Sequence, residues 1–156
     1  MRTFAGMNTL KEKVIRELRD RLLAREKELE KALAELSEAL LSDTKSTAGD
    51  KHETGRAMTH LEQEKLGTRL QQTRQQLQIM SRIDFSFESD TIRMGSFIKT
   101  DKGYYLLAIA FGALEVMDHT YFVLSPASPM GQLLLGSKAG KLLKYGTKEL
   151  KVESVI

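Results

Sequence analysis

Residues 10–41 contain neither glycine nor proline, and their apolar positions keep a seven-residue period. Ile15, Leu22, Leu29 and Leu36 occupy one seam position, and Leu18, Ala32 and Ala39 occupy the other. A heptad seam of this kind forces a long helix that buries one stripe against another helix. Arg25 interrupts the stripe, which a long side chain tolerates by carrying its charge out to water. The intervening positions are mostly Glu, Lys and Arg, as a solvated face requires. Thr9 followed by Glu12 has the spacing of a capping box, so the helix is expected to start there.

The partner helix follows directly. Residues 42–55 replace the periodic pattern with Ser, Thr, Asp and two glycines, the composition of a turn. From about Thr54 to Arg82 a second helical run carries Met58, Leu61, Leu66, Leu70, Leu77 and Met80 as its apolar members. Gly67 and a run of glutamines weaken its seam. Two helices joined by a short turn pack antiparallel, giving a helical hairpin with a polar tip.

Beyond residue 83 the period changes. Ser96–Lys99, Tyr104–Phe111 and Tyr121–Leu124 are rich in aromatic and β-branched residues, and Asp-Lys-Gly and Met-Asp-His turns separate them. Both prolines fall in Ser-Pro-Ala-Ser-Pro-Met-Gly, just before a short apolar helix expected near Met130–Leu135. Tyr145 and the segment from Leu150 onward read as final strands. The expected fold is therefore α+β. An antiparallel coiled-coil hairpin occupies residues 1–83, with its polar tip at 43–55, and a compact β-rich domain occupies 84–156.

Composition narrows the chemistry. The absence of cysteine excludes a disulfide framework, a thiolate zinc site, an iron–sulfur cluster and a thiol nucleophile. No run of roughly 18 apolar residues is present to span a membrane as a helix. The seven N-terminal residues lead straight into charged sequence, without the apolar region of a signal peptide. A soluble cytoplasmic protein with no membrane partner is expected. The net charge of +3 is too weak for a dedicated DNA-binding domain.

Several enzyme signatures fail on inspection. His52-Glu53-Thr54-Gly55 opens like a zinc-protease helix, but Arg56 stands where the second histidine must be, and a cation there repels zinc. His52, His60 and His119 share no ligand spacing. Gly131 to Lys138 resembles a phosphate loop, but its Ser and Lys come in the wrong order. Lys65, Arg69, Arg74 and Arg82 have no acidic residue among them. They read as a solvated helix surface, with contact to RNA or a protein partner as the alternative.

The tip offers chemistry. Asp50 and Glu53 lie between Gly49 and Gly55. One reading is a capping box for the second helix. The other is a pair of exposed carboxylates able to ligate a hard divalent cation, as in sites where a metal activates an attacking water.

Gly49-Asp50-Lys51-His52-Glu53-Thr54 resembles the G-D-x-x-E-N tip of the bacterial GreA/GreB family of transcript cleavage factors. Ser125 to Gly140, with Ser128-Pro129-Met130-Gly131 and Leu135-Gly136-Ser137-Lys138 inside it, resembles that family's S-x-x-S-P-[LI]-[AG]…LLGK-x-x-G signature. The order of parts agrees along nearly the whole chain. The resemblance implies a coiled coil followed by an FKBP-like domain, with bacterial RNA polymerase as partner. The coiled coil would enter the polymerase's secondary channel, and the globular domain would dock at its rim. Asp50 and Glu53 would then help to hold a Mg²⁺ shared with the polymerase and position water, so that the polymerase cuts its own backtracked RNA. The chain itself would be an accessory factor rather than an enzyme, a monomer that meets the nascent RNA 3′ end indirectly. Docking falls by the same resemblance to Ser128, Pro129, Met130, Gly131, Gly136 and Lys138.

The tip departs from the family pattern at His52, Thr54 and Arg56. Lys51, His52 and Arg56 bring positive charge beside the carboxylates, which opposes Mg²⁺ binding and suits contact with RNA phosphates or polymerase. The alternative is a regulator that occupies the channel without cutting. A peptidyl-prolyl isomerase and a coiled-coil homodimer scaffold are the remaining classes. The first is disfavoured by a chain with no Trp and 6% aromatics.

Overall fold

The computed structural model describes the backbone of residues 4–43 and 50–156, and side chains at 6–42 and 54–156. In chain order the elements are α1 (Phe4–Asp43), α2 (Asp50–Arg82), β1 (Phe97–Thr100), β2 (Gly103–Leu107), β3 (Gly112–Val116), β4 (His119–Leu124), α3 (Pro129–Leu134), β5 (Leu142–Tyr145) and β6 (Lys148–Val155). They fall into two compact units, Met1–Arg19 with Ile79–Ile156, and Asp20–Gln78.

Within Asp20–Gln78 the two helices run antiparallel. Arg74 pairs with Glu26 at 3.3 Å and with Glu30 at 2.7 Å, while the Gln63 amide donates to the Ser37 hydroxyl at 3.4 Å. Positions rise on one helix as they fall on the other. The α1 part of this unit, residues 20–43, is about 36 Å long at 1.5 Å per residue. Its seam is thin. Leu22 and Leu70 are buried, Leu29, Leu36 and Leu66 are half-buried, and Ala39 is exposed. Met58 and Leu61, expected in the seam, are exposed instead. Only one neighbour covers each helix in a two-helix pair, so any apolar residue off the a/d line meets water.

The other unit begins with a correction to the helix start. Helix α1 begins at Phe4, so Thr9 lies inside it and does not cap it. Tertiary packing extends the helix: Met7, Leu10, Val14 and Leu18 are buried, at the spacing of one helix face. The Met7 sulfur accepts a hydrogen bond from the Ser154 hydroxyl of β6 at 3.2 Å. That packing outweighs the weak helix preference of Gly6.

The strands form one six-stranded sheet in the order β3-β4-β2-β1-β6-β5. Only β2 and β4 pair in parallel. Successive side chains on a strand face opposite ways, so Phe97 and Ile98 divide the sheet's two cores. Phe97 stacks on Tyr104 at 5.4 Å between ring centroids, and Tyr121 lies against both. Ile98, Leu107, Leu150 and Val152 cluster with Leu134 of α3 on the other side. Strand β3, Gly-Ala-Leu-Glu-Val, has no counterpart among the expected strands, and β2 stops at Leu107 rather than running to Phe111.

The β3–β4 connection is a two-residue turn in which Met117 and Asp118 have φ of 52° and 66°. Two left-handed residues in a row are the signature of a type I′ turn, which Asn-Gly fills with least strain. The Met117→Asn/Asp118→Gly variant is therefore expected to gain about 1 kcal/mol of stability, since non-glycine residues pay for this conformation. Urea unfolding measures it.

Candidate functional site

Helix α1 ends at Asp43 and α2 begins at Asp50. Residues 44–49 lie outside the described residues, as do the side chains of Asp50, Lys51, His52 and Glu53. Their backbone forms the first turn of α2. Positions three apart on a helix share a face, and this spacing places residues 50 and 53 together. Arg56, one turn further along, is half-exposed. Among the described residues no three acidic or histidine side chains cluster as a metal site.

The Ser128–Lys138 segment is fixed by its own hydrogen bonds and by a close approach to Ser125. Ser128 is the N-cap of α3: its hydroxyl accepts from the Gly131 N–H at 3.0 Å and donates to the Ser125 carbonyl at 2.7 Å. Pro129 opens the helix, where its fixed φ and missing N–H cost nothing. Gly131 lies so close to Ser125 that a Cβ would overlap the Ser125 carbonyl oxygen. Gly136 follows the helix with φ +83°, the left-handed stop that glycine supplies. Its N–H donates to the Ile92 carbonyl at 2.8 Å, and Lys138 bridges to Thr91. Ser128, Gly131 and Gly136 thus have structural duties, while Pro129 and Lys138 are exposed and Met130 is half-buried.

Met130 also lines a largely apolar groove of about 530 Å³, with Tyr105, Tyr145 and Leu150 as further apolar walls and Lys102 and Lys148 among its charged lining. Burial, reinforced by the Asp101 carboxylate, pushes the Tyr105 hydroxyl up from its ordinary pKa. Of these residues the sequence reading singled out only Met130 for docking. Tyr105 and Tyr145 come from distant strands, and no local motif announces their meeting.

Lys11 was not anticipated either. It is 5% exposed, and its ammonium donates to an Ile156 oxygen at 3.1 Å. Burial pulls its pKa from 10.5 down to about 8; Asp84 opposes that shift and Arg93 adds to it. The available signal was a lysine placed among Leu10, Val14 and Ile15 on the apolar arc of α1. The folded state favours the neutral amine, so below about pH 8 both folded and unfolded chains carry the proton and the burial penalty stands in full. Between about pH 8 and 10.5 the unfolded chain binds more protons, and stability rises with pH. The Lys11→Met variant is expected to be more stable at pH 7 by on the order of 1 kcal/mol, after discounting for solvent screening. It should also lose that rise. Thermal unfolding at pH 7 and pH 9.5 reads both.

No family model matches the chain, and no curated protein does. Among solved structures it is similar to GreA factor homolog 1 (Gfh1) of Thermus thermophilus, with 21% identity over 88% of this chain and 94% of that one, at a TM-score of 0.37. A second structure, of the transcription factor Gfh1, gives 21% identity over 88% and 92%, at 0.36. Gfh1 of Thermus aquaticus gives 20% over 87% and 92%, at 0.33. Similarity at this level assigns no role to any residue. Among the described residues no helix is long and apolar enough to cross a membrane.

Proposed function

We propose that this chain is a transcription factor that binds bacterial RNA polymerase through the secondary channel and stimulates cleavage of backtracked RNA. The observation that carries the reading is the position of Asp50 and Glu53. They open the second helix of an antiparallel pair, in a segment that resembles the GreA/GreB tip. A two-helix probe is narrow enough to enter a channel closed to a globule. Carboxylate oxygens suit Mg²⁺, and two of them are fewer than a complete shell, so the polymerase would supply the rest. When bound, such an ion lowers the pKa of its water and makes it a nucleophile. The chain's own part is to bring the two carboxylates to the reacting phosphate and to hold that approach through docking. Met130 and the adjoining apolar groove support a docking role for the α3 segment.

A non-cleaving channel regulator is the second reading. The charges of Lys51, His52 and Arg56 beside the carboxylates favour it.

The cysteine-free sequence permits a direct test. A Thr54→Cys variant carrying a tethered iron chelate generates radicals at the tip. The expected result is strand scission of RNA and protein confined to the polymerase active centre. Scission confined to the polymerase exterior, or none in a complex that still forms, would remove the channel reading.

A further inference from the structure

A second cleft, separate from the tip and from the α3 groove, lies inside the sheet unit between the start of α1 and the chain that follows α2. Its volume is about 550 Å³, within the range of small-ligand sites. Three cations of α1 line it, Lys11, Arg16 and Arg19, together with Phe87, Glu12 and Glu88. We infer that this cleft binds a 5′-phosphorylated nucleotide, its phosphate held by Lys11, Arg16 and Arg19 and its base stacked on Phe87.

Four observations support that ligand. Lys11 is a lysine with nine-tenths of its surface buried in the cleft wall. An ammonium has three N–H donors, and its one hydrogen bond among the described residues goes to Ile156. Asp84 is the carboxylate whose charge reaches it, no Asp or Glu of the described residues closes an ion pair on it within 4 Å, and two of its donors stay available to a further anion. Arg16 and Arg19 are exposed and likewise enter no ion pair among the described residues. The guanidinium of Arg93 lies 3.7 Å from the Phe87 ring centre, yet Phe87 remains 46% exposed. A ring clasped on one side offers its other face to a base, and a base on an aromatic ring is a stable stack. Glu12 and Glu88 can accept from ribose hydroxyls, and Ser86, held by Asp84 through bonds of 3.0 and 2.6 Å, fixes the loop that carries Phe87.

Calorimetric titration of the whole protein tests this without polymerase. The probes are 5′-AMP, adenosine, inorganic phosphate, and a short RNA with either a 5′-phosphate or a 5′-hydroxyl. 5′-AMP is expected to bind, adenosine to bind at least tenfold more weakly, and the RNA to bind only when phosphorylated. Binding of both 5′-AMP and phosphorylated RNA, or of either alone, supports the site and identifies its source of nucleotide. The exposed pair Arg16→Ser/Arg19→Ser is expected to weaken 5′-AMP at least tenfold with its melting temperature unchanged. Phe87→Ser is expected to weaken 5′-AMP and leave inorganic phosphate unaffected. The inference is overturned if adenosine binds as well as 5′-AMP. It also fails if the arginine variant binds like wild type, or if neither phosphorylated probe binds.

Discussion

Gly131→Ala is expected to destabilise the protein by at least about 2 kcal/mol, although alanine is the better helix former by about 1 kcal/mol. The added Cβ would overlap the Ser125 carbonyl oxygen and come within 2.8 Å of the Ser128 hydroxyl. A backbone carbonyl cannot swing aside as a side-chain end can. Relief requires moving the loop that ends at Ser125 away from α3, which breaks the Ser128 cap, a contribution of about 1 kcal/mol. Overpacking of this kind costs a further 1–3 kcal/mol. The same substitution at Gly67 is the control. No atom lies within 4 Å of a Cβ there, so Gly67→Ala is expected to stabilise α2 by about 1 kcal/mol. Opposite shifts in the urea midpoints would separate steric demand from helix preference. A harmless Gly131→Ala would mean that the α3 turn is not held as tightly as its geometry implies.

The second large effect is functional. Removing both tip carboxylates in an Asp50→Ala/Glu53→Ala variant is expected to slow any stimulated cleavage by a hundredfold or more, the scale of losing one transition-state charge contact of about 3 kcal/mol. Polymerase binding should stay within a few-fold of wild type, because the proposed docking residues of the α3 segment are left intact. The cations at Lys51 and Arg56 oppose a divalent ion by Coulomb repulsion. Half-maximal cleavage is therefore expected to need less Mg²⁺ in a Lys51→Ser/Arg56→Ser variant than in wild type. An unchanged Mg²⁺ requirement would place those charges away from the ion.

Both helices and the change to β structure were legible in the sequence, because a heptad seam and the Gly/Pro punctuation around residues 125–140 are local signals. What escaped was non-local. Strand β3 reads as Gly-Ala-Leu-Glu-Val, with one buried leucine, too little alternation to announce itself; it exists because β4 pairs with it from Gly112 to Val116. The parallel pairing of β2 with β4 is set by the whole sheet and leaves no mark on either strand. The α1 start moved to Phe4 because β6 packs on Met7, a contact 147 residues away in sequence. For the sites the pattern repeats. The Ser128–Gly136 motif is visible as a motif, yet only the structure assigns Ser128 to capping and Gly131 to close approach. The groove around Met130 joins strands about forty residues apart, and the cleft around Lys11 joins residues from opposite ends of the chain, which no spacing rule brings together.

The central claim is tested most directly by a transcript-cleavage assay. Purified backtracked elongation complexes with Mg²⁺ would be incubated with wild type and with the Asp50→Ala/Glu53→Ala variant. The account predicts that wild type shortens the RNA from its 3′ end and that the variant, bound equally well, does not. RNA left intact by both proteins while both occupy the polymerase would contradict it and make the tip a plug.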